Sequence, residues 1–558
     1  MRFIHLAFLL ILISSGCMAQ RGLDKNTVKS AVPAISVAEK DSIIRKIFNR
    51  IYDASGVLSE KPEVKLSFQR GNAASYTPSK KMPVIAFEND ALDVCLSFVD
   101  RRDDAIAFIL SHEIGHHFTH RFWEGNYADF ELSIKDSLVA KYGLEMRNGK
   151  VSDRHVIRTL QEIKADEKGN ILLYMAGFSS DNLAESLWRK IYEAYPGFSD
   201  TMACYPPLQD RLEIARIAET RARSFARIFE LANYAVLIND YDFAVTQYNA
   251  LLFEFDFYSR EIYNNIGVVY YLKAMAEQGA LDYIYPIELD LKARNDAVTT
   301  RGSLPKSVRD HLAKARDYFK KAIQLDEGYA TGYLNLGCIL TILGEDYDGA
   351  RSACKTVLKN SNNPVDVQNA KVVLALIDLK SDEGDKNRGR TLLEELVKNG
   401  CEFARLNMLR LEENDAGDSI EGAAAFAVEN NEYKNSFKRE MINGMNPETL
   451  DSVEEERAQL VEYGNPLQQL LSYNFEDASV LLNEGRYIFV TTEKNYSGTT
   501  ALGIKIGSGV SEVKEKYGRP HGIMATAQGT IYHYPGSSLI MLIDVNNKVS
   551  KWVLYTER

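Results

Sequence analysis

The chain has 558 residues, 45% of them hydrophobic and 26% charged, with a formal net charge of -11 at pH 7. That length exceeds what one hydrophobic core usually supports, so several domains are expected, and the apolar content excludes a disordered chain. The acidic balance, with no basic stripe, argues against a nucleic-acid binder, and no nucleic-acid partner is expected.

At the N-terminus, Met1-Arg2 precedes the apolar run Phe3 to Ile13. The run is too short to span a bilayer comfortably and reads as a signal peptide over residues 1–19. Two cleavage readings stay open. Ser15-Gly16-Cys17 resembles the end of a bacterial lipobox, with Ser14 where Leu is usual, and would leave a lipidated Cys17. Cleavage after Ala19 would instead leave Gln20 as a free end. No later stretch is long and apolar enough for a transmembrane helix. The expected location is therefore the bacterial cell envelope, either periplasmic or as a membrane-anchored lipoprotein held only through Cys17.

The next informative stretch is His112-Glu113-Ile114-Gly115-His116, in a chain with only nine histidines. It follows the apolar run Ala105 to Ser111, which reads as a buried helix. Residues four apart on a helix share a face, so both imidazoles can address one zinc ion. Glu113 then stands beside them as a base for a water at the metal. A longer ligand run of the H-E-x-x-H-x-x-G-x-x-H kind needs a histidine at position 122, which is Phe122. His117 and His120 read as helix-surface or packing residues.

A second helix is expected over Gln161-Glu162-Ile163-Lys164-Ala165-Asp166 and the apolar segment Ile171 to Ala176, ended by Gly177. Glu162 and Asp166 share a face. His-His-Glu is a known catalytic zinc set, so Glu162 is the candidate third ligand. Asp166 can accept the second N–H of a zinc-bound histidine and fix its tautomer.

Together these motifs resemble the gluzincin metallopeptidases of the HtpX and CAAX-prenyl-protease type. That family carries H-E-x-G-H on one helix and E-x-x-A-D-x-x-G on the next, and Gly169 completes the second pattern here. Gly71-Asn72-Ala73-Ala74-Ser75 and Pro83 to Phe87 look like the family's Asn-Ala strand and the strand before the zinc helix. Met175-Ala176-Gly177-Phe178 looks like its A-G-Y/F turn, and Pro206-Pro207 to Arg211 like its H-P-x-x-x-x-R element. The resemblance covers about residues 40–220. It implies a mostly helical zincin-type domain with one zinc per chain, protein or peptide substrates, and a supporting role for Arg211. It also points to the exported branch of the family. Tyr205 stands where the family usually has histidine. Its hydroxyl either donates to a developing oxyanion or is an inert substitution.

The six cysteines, Cys17, Cys95, Cys204, Cys338, Cys354 and Cys401, form no C-x-x-C pair and no dense framework. Cys338 and Cys354 sit on neighbouring expected helices and read as two buried thiols rather than a bridge.

Residues 222–410 read as successive helices with a period of about 34 residues, that of tetratricopeptide repeats. The clearest copy runs from Tyr329 through Leu336-Gly337 and Gly349-Ala350 to Asn363-Pro364. A second begins at Tyr263 and resumes at Ala315, with Gln278 to Arg309 as an insertion. Degenerate copies cover about 225–258 and 364–398. An α-solenoid of this kind usually offers a concave surface to a partner protein. Residues 411–495 read as a charged helical connector with a solvated face. In 496–558, Ala501 to Gly507 reads as a strand and Val510 to Tyr517 as a helix. Thr530 to Tyr534, Leu539 to Val545 and Lys548 to Tyr555 read as further strands, with a turn at Asn546-Asn547. The pattern from Ile506-Gly507 to Pro520 resembles small α+β envelope modules of the SmpA/BamE-like kind.

The fold class expected is thus α+β: a zincin domain, an α-solenoid and a small α+β module. The leading functional expectation is a zinc endopeptidase of the envelope, whose repeats bind substrates or partners in protein quality control. The alternative is a chaperone or scaffold with a latched or silent peptidase site.

Overall fold

The computed structural model describes residues 35–557 apart from 57–60, 80–81, 134–152, 181–182, 200–205, 256, 279–282, 288–305, 417–438, 450–458, 466–467, 476, 484–486, 494, 519, 521, 527–528 and 545. Residues 1–19, expected as a signal peptide and including Cys17, lie outside the described residues, as do Cys204 and Tyr205. The chain divides into two compact units, Met1–Ala226 and Arg227–Arg558.

In the first unit, α1 (Val37–Ala54) begins with a capping box. The Ser36 hydroxyl accepts from Glu39 N at 3.3 Å, and the Glu39 carboxylate accepts from Ser36 N at 2.9 Å. Its apolar face, Ile44, Ile47, Phe48 and Ile51, is buried. A three-stranded sheet follows, made of β1 (Glu63–Ser67), β2 (Ala74–Thr77) and β3 (Val84–Glu88) in the order β1-β3-β2. β1 runs parallel to β3, and β2 is antiparallel to β3 and forms an edge. The short α2 (Asn89–Leu96) leads into the long α3 (Arg102–Ser133). Its run from Ala105 to Leu110 is buried throughout, as expected of a helix apolar on all sides. α3 packs on β2 and, most extensively, on α4 (Asp153–Met175). α4 ends at Gly177, whose φ of 73° carries the chain into the left-handed turn that L side chains resist. Phe178 N then reaches Leu173 O at 3.1 Å, satisfying a terminal carbonyl. α5 (Ala184–Ala194) buries Leu187, Trp188, Ile191 and Tyr192 on one face. α6 (Leu208–Leu237) closes the unit and continues across the division into the second.

The second unit continues with α7 (Tyr241–Phe253), α8 (Arg260–Gln278), α9 (Lys306–Leu325), α10 (Ala330–Leu343), α11 (Tyr347–Asn360), α12 (Pro364–Lys380), α13 (Lys386–Lys398) and α14 (Glu402–Ala416). Consecutive helices pack in pairs, α8 on α9, α10 on α11, α12 on α13. Glycines permit the close approach. A Cβ on Gly337 would lie 2.9 Å from Cys354 Sγ, and one on Gly267 would lie 2.7 Å from the Phe319 ring. Between α8 and α9, Ile284 is held by Asn407 of α14, which accepts from its N–H and donates to its carbonyl, both at 2.8 Å. Cys95, Cys338, Cys354 and Cys401 are buried, and among the described residues there is no disulfide.

The C-terminal part corrects two expectations. In place of a helical connector to residue 495, helix ends at Ala416 and four strands follow the undescribed stretch. They are β4 (Gln459–Asn465), β5 (Gln468–Asn474), β6 (Ala478–Asn483) and β7 (Tyr487–Thr492). They join β8 (Gly522–Thr526), β9 (Gly529–Tyr534), β10 (Leu539–Asp544) and β11 (Val549–Glu557) in one antiparallel sheet, ordered β4-β5-β6-β7-β11-β10-β9-β8. Short runs rich in β-branched and aromatic residues, such as Tyr487-Ile488-Phe489-Val490-Thr491-Thr492, suit a pleated surface better than a helix. So 411–495 and 496–558 do not separate into a connector and a module. The segment Ala501 to Gly507 is not a strand, because Gly503 and Gly507 take φ of 79° and 90° and turn the chain. α15 (Val510–Tyr517) covers one sheet face with Val513 and Tyr517, over Val480, Val490, Met541 and Trp552. The protein is thus mostly helical with an antiparallel C-terminal sheet, an α+β composition. Among the described residues no helix is long and apolar enough to cross a membrane.

Candidate metal centre

α3 and α4 place three side chains around one point. His112 and His116 project from adjacent turns of α3, with their Nε2 atoms 3.1 Å apart. Glu162 of α4 faces both, its carboxylate oxygens 3.4 Å from His112 Nε2 and 3.3 Å from His116 Nε2. Among the described residues, this is the one His/Cys/Asp/Glu group of three or more whose donor atoms converge, all within 4.8 Å of one another. Metal–ligand bonds of about 2.1 Å at the tetrahedral angle separate donor atoms by about 3.4 Å. The three observed separations therefore fit one tetrahedral face around a small cation.

The surroundings fix the ligand tautomer. Asp166, one helical turn beyond Glu162, accepts from His112 Nδ1 at 2.6 Å. A carboxylate can only accept, so the proton is on Nδ1 and, in the neutral ring, the Nε2 lone pair faces the ligand point. Arg211 of α6 holds the same carboxylate, donating from Nη2 to Oδ1 at 2.9 Å, with Nη1 in ion-pair contact with Oδ2 at 2.7 Å. Its Nη1 also lies 3.6 Å from Glu162, and its guanidinium stacks 4.0 Å above the Trp188 ring. Arg211 is 2% exposed, buried with the carboxylate it pairs with.

These charges shape one another. Burial disfavours an imidazolium at His112, but Asp166 outweighs it and the pKa is pushed up to about 10. Burial opposes ionisation of Glu162, yet His116 and His112 hold its carboxyl well below the usual range. Burial likewise opposes a charged Arg211, and Asp166 and Glu162 more than compensate, raising its pKa. Glu113 is buried beside this set, and burial raises its pKa, with His112 and His116 partly offsetting the rise. Burial thus makes the Glu113 carboxylate a stronger proton acceptor than an exposed one.

The site lies in a cleft. It is lined by Asn72, Ala73, Ala74, Ile109, His112, Glu113, Glu162 and Arg211, and by the aromatics Trp188, Tyr192 and Phe198. The sequence reading missed those three aromatics. Trp188 and Tyr192 belong to the apolar stripe of α5, with Ala184, Leu187 and Ile191, which marks a buried face but not what it faces, and Phe198 lies beyond that helix in Pro196–Ser199. The Tyr192 hydroxyl donates to Pro206 O at 2.6 Å, pinning the start of the segment that leads to Arg211. Burial pushes the Tyr192 hydroxyl up to about 12. His117 packs in the interior, with Nδ1 3.2 Å from the Tyr76 hydroxyl. The side chain of His120 lies outside the described residues, as do Tyr205 and Cys204.

No protein-family model matches the chain, and no curated protein matches it.

Proposed function

We propose that this chain is a zinc-dependent endopeptidase. The observation that carries the reading is the convergence of His112, His116 and Glu162 in a cleft that also holds Glu113. The donor set suits zinc, with two imidazoles, one carboxylate and an open side towards the cleft. A zinc ion held there supplies Lewis acidity to a scissile carbonyl and makes a water more acidic. Glu113 takes the proton of that water and passes it to the leaving amine, a role consistent with its burial and raised pKa. Asp166 and Arg211 hold His112 in its ligating tautomer. An extended substrate lies along the free edge of β2 and pairs by backbone hydrogen bonds, which tolerate many sequences.

Three coarser elements belong to the same reading. The helix pairs from 222 to 410, brought together at Gly267 and Gly337, form tetratricopeptide repeats that hold substrates or a partner protein. The N-terminal residues 1–19 direct export, either to the periplasm or to a lipid anchor on Cys17. The work done is proteolytic quality control in the bacterial cell envelope.

The test is direct. Purified protein should carry about one zinc per chain. Glu113→Gln should retain zinc and lose cleavage of an unfolded protein such as casein. Proteolysis at the wild-type rate in that variant would remove Glu113 from the mechanism. If the variant instead rescued a deletion strain fully, a scaffold or chaperone would be the better description.

A further inference from the structure

The stretch of cleft lining supplied by Asn72, Ala73 and Ala74 is held in an unusual conformation. Ala73 has φ of 61°, in the left-handed region that a Cβ disfavours. It is the centre of a three-residue turn closed by Ala74 N donating to Asn72 O at 2.7 Å. Ala73 is 3% exposed, so packing as well as hydrogen bonding surrounds the turn.

One side chain holds the residues before it. Glu88 closes β3 and is 5% exposed. Its carboxylate accepts from Gly71 N at 3.0 Å and Asn72 N at 2.7 Å, while its own N–H donates to Ala73 O at 2.8 Å. Further back, Arg70 donates to Ala194 O at 2.6 Å and lies 3.3 Å from Asp90. The segment 70–74 is thus strapped to the end of β3 and to the end of α5, with its inner side on the cleft. Hydrogen bonds from backbone N–H groups to an ionised acceptor are strong enough to sustain such a turn.

We propose that Glu88 is a positioning residue of this cleft: its carboxylate clamp on Gly71 and Asn72 sets the register of the strand edge along which a peptide substrate lies beside His112 and Glu113. The inference rests on the peptidase reading above and deepens it. Glu88 touches neither the ligand group nor Glu113, so its effect falls on substrate binding rather than on the proton transfers.

The experiment compares wild type, Glu88→Gln and Glu88→Ala in full-length protein. Labelled casein is the first probe, followed by a quenched peptide copied from a bond cleaved in it. Glu88→Ala should raise KM roughly tenfold with kcat within about twofold, and Glu88→Gln, which keeps one acceptor oxygen, should raise it by about threefold. Zinc content should be unchanged, and amide exchange over 71–74 should accelerate in both variants. If Glu88→Ala fails to fold, Glu88→Gln, which keeps the shape, decides the matter. Unchanged KM and unchanged exchange would overturn the role, as would loss of kcat and zinc at constant KM. A wild type silent towards casein overturns the peptidase reading and this one with it. An active wild type with indifferent Glu88 variants overturns this one alone.

Discussion

Gly169 of α4 lies against the backbone of Ser111 in α3: a Cβ there would come within 2.7 Å of the Ser111 carbonyl oxygen and 2.9 Å of His112 N. Gly115 repeats the relationship in the other direction, and a Cβ on it would lie 2.9 Å from the Ala165 carbonyl carbon. The two ligand-bearing helices therefore meet backbone to backbone on either side of the donor set. Backbone cannot give way as a flexible side chain can, so a methyl group must push the helices apart. Since Glu162 lies 3.3–3.4 Å from both histidines, even a small separation opens the ligand triangle.

Gly169→Ala and Gly115→Ala are accordingly expected to destabilise the first unit by about 3 kcal/mol each, and to lower zinc affinity with it. Thermal unfolding and zinc titration against a chelator would measure both. Wild-type zinc affinity in both variants would show that the close approach does not set the ligand geometry.

Arg211 gives a second prediction. It pairs with Asp166, which orients His112, and it also lies beside the donor residues themselves, Nη2 3.3 Å from His112 Nδ1 and Nη1 3.6 Å from Glu162. Arg211→Lys keeps the charge but loses the planar guanidinium that hydrogen-bonds Asp166 while lying over the Trp188 ring. Arg211→Met leaves a buried carboxylate with the histidine alone. Zinc affinity should fall about tenfold in the lysine variant and by up to about a hundredfold in the methionine variant. Trp188 fluorescence should also change, since the guanidinium lies over that ring. Equal zinc affinity in wild type and both variants would sink the idea.

The donor set was legible in the sequence because helical periodicity alone puts His112 with His116, and Glu162 with Asp166, on common faces. Arg211 was legible only through its place in a longer pattern. The rest of the cleft depends on tertiary pairings. Glu88 reaches back to Gly71 and Asn72, and the turn at Ala73 has no glycine or asparagine at its positive φ to announce it. In the C-terminal part, the charge spread over 411–495 masks the alternation of its strands. Val480, Ile488 and Val490 belong to the same buried layer as Met541 and Trp552, a pairing of strands about 60 residues apart that no local window reveals.

The last prediction concerns the helical region. Asp378 near the end of α12 is 3% exposed and receives three short bonds. Arg351 Nη1 approaches Oδ1 at 2.6 Å, and Arg388 bridges both oxygens, Nε to Oδ2 at 2.6 Å and Nη2 to Oδ1 at 2.7 Å. Burial opposes the charge on Asp378, but the bonds to Arg388 and Arg351 prevail and hold its carboxyl below the ordinary value. A carboxyl whose folded pKa is depressed stabilises the fold above its unfolded pKa, about 3.9, and that contribution is lost as pH falls through the folded value. Asp378→Asn removes the charge at every pH and should cost about 2 kcal/mol at neutral pH, because two guanidinium groups lose their anion. The difference in unfolding free energy between wild type and variant should then shrink as pH drops below about 4, measured by urea denaturation across that range. A difference that stays constant down to pH of about 2 would mean that shape rather than ionisation of the Asp378 carboxylate joins α11, α12 and α13.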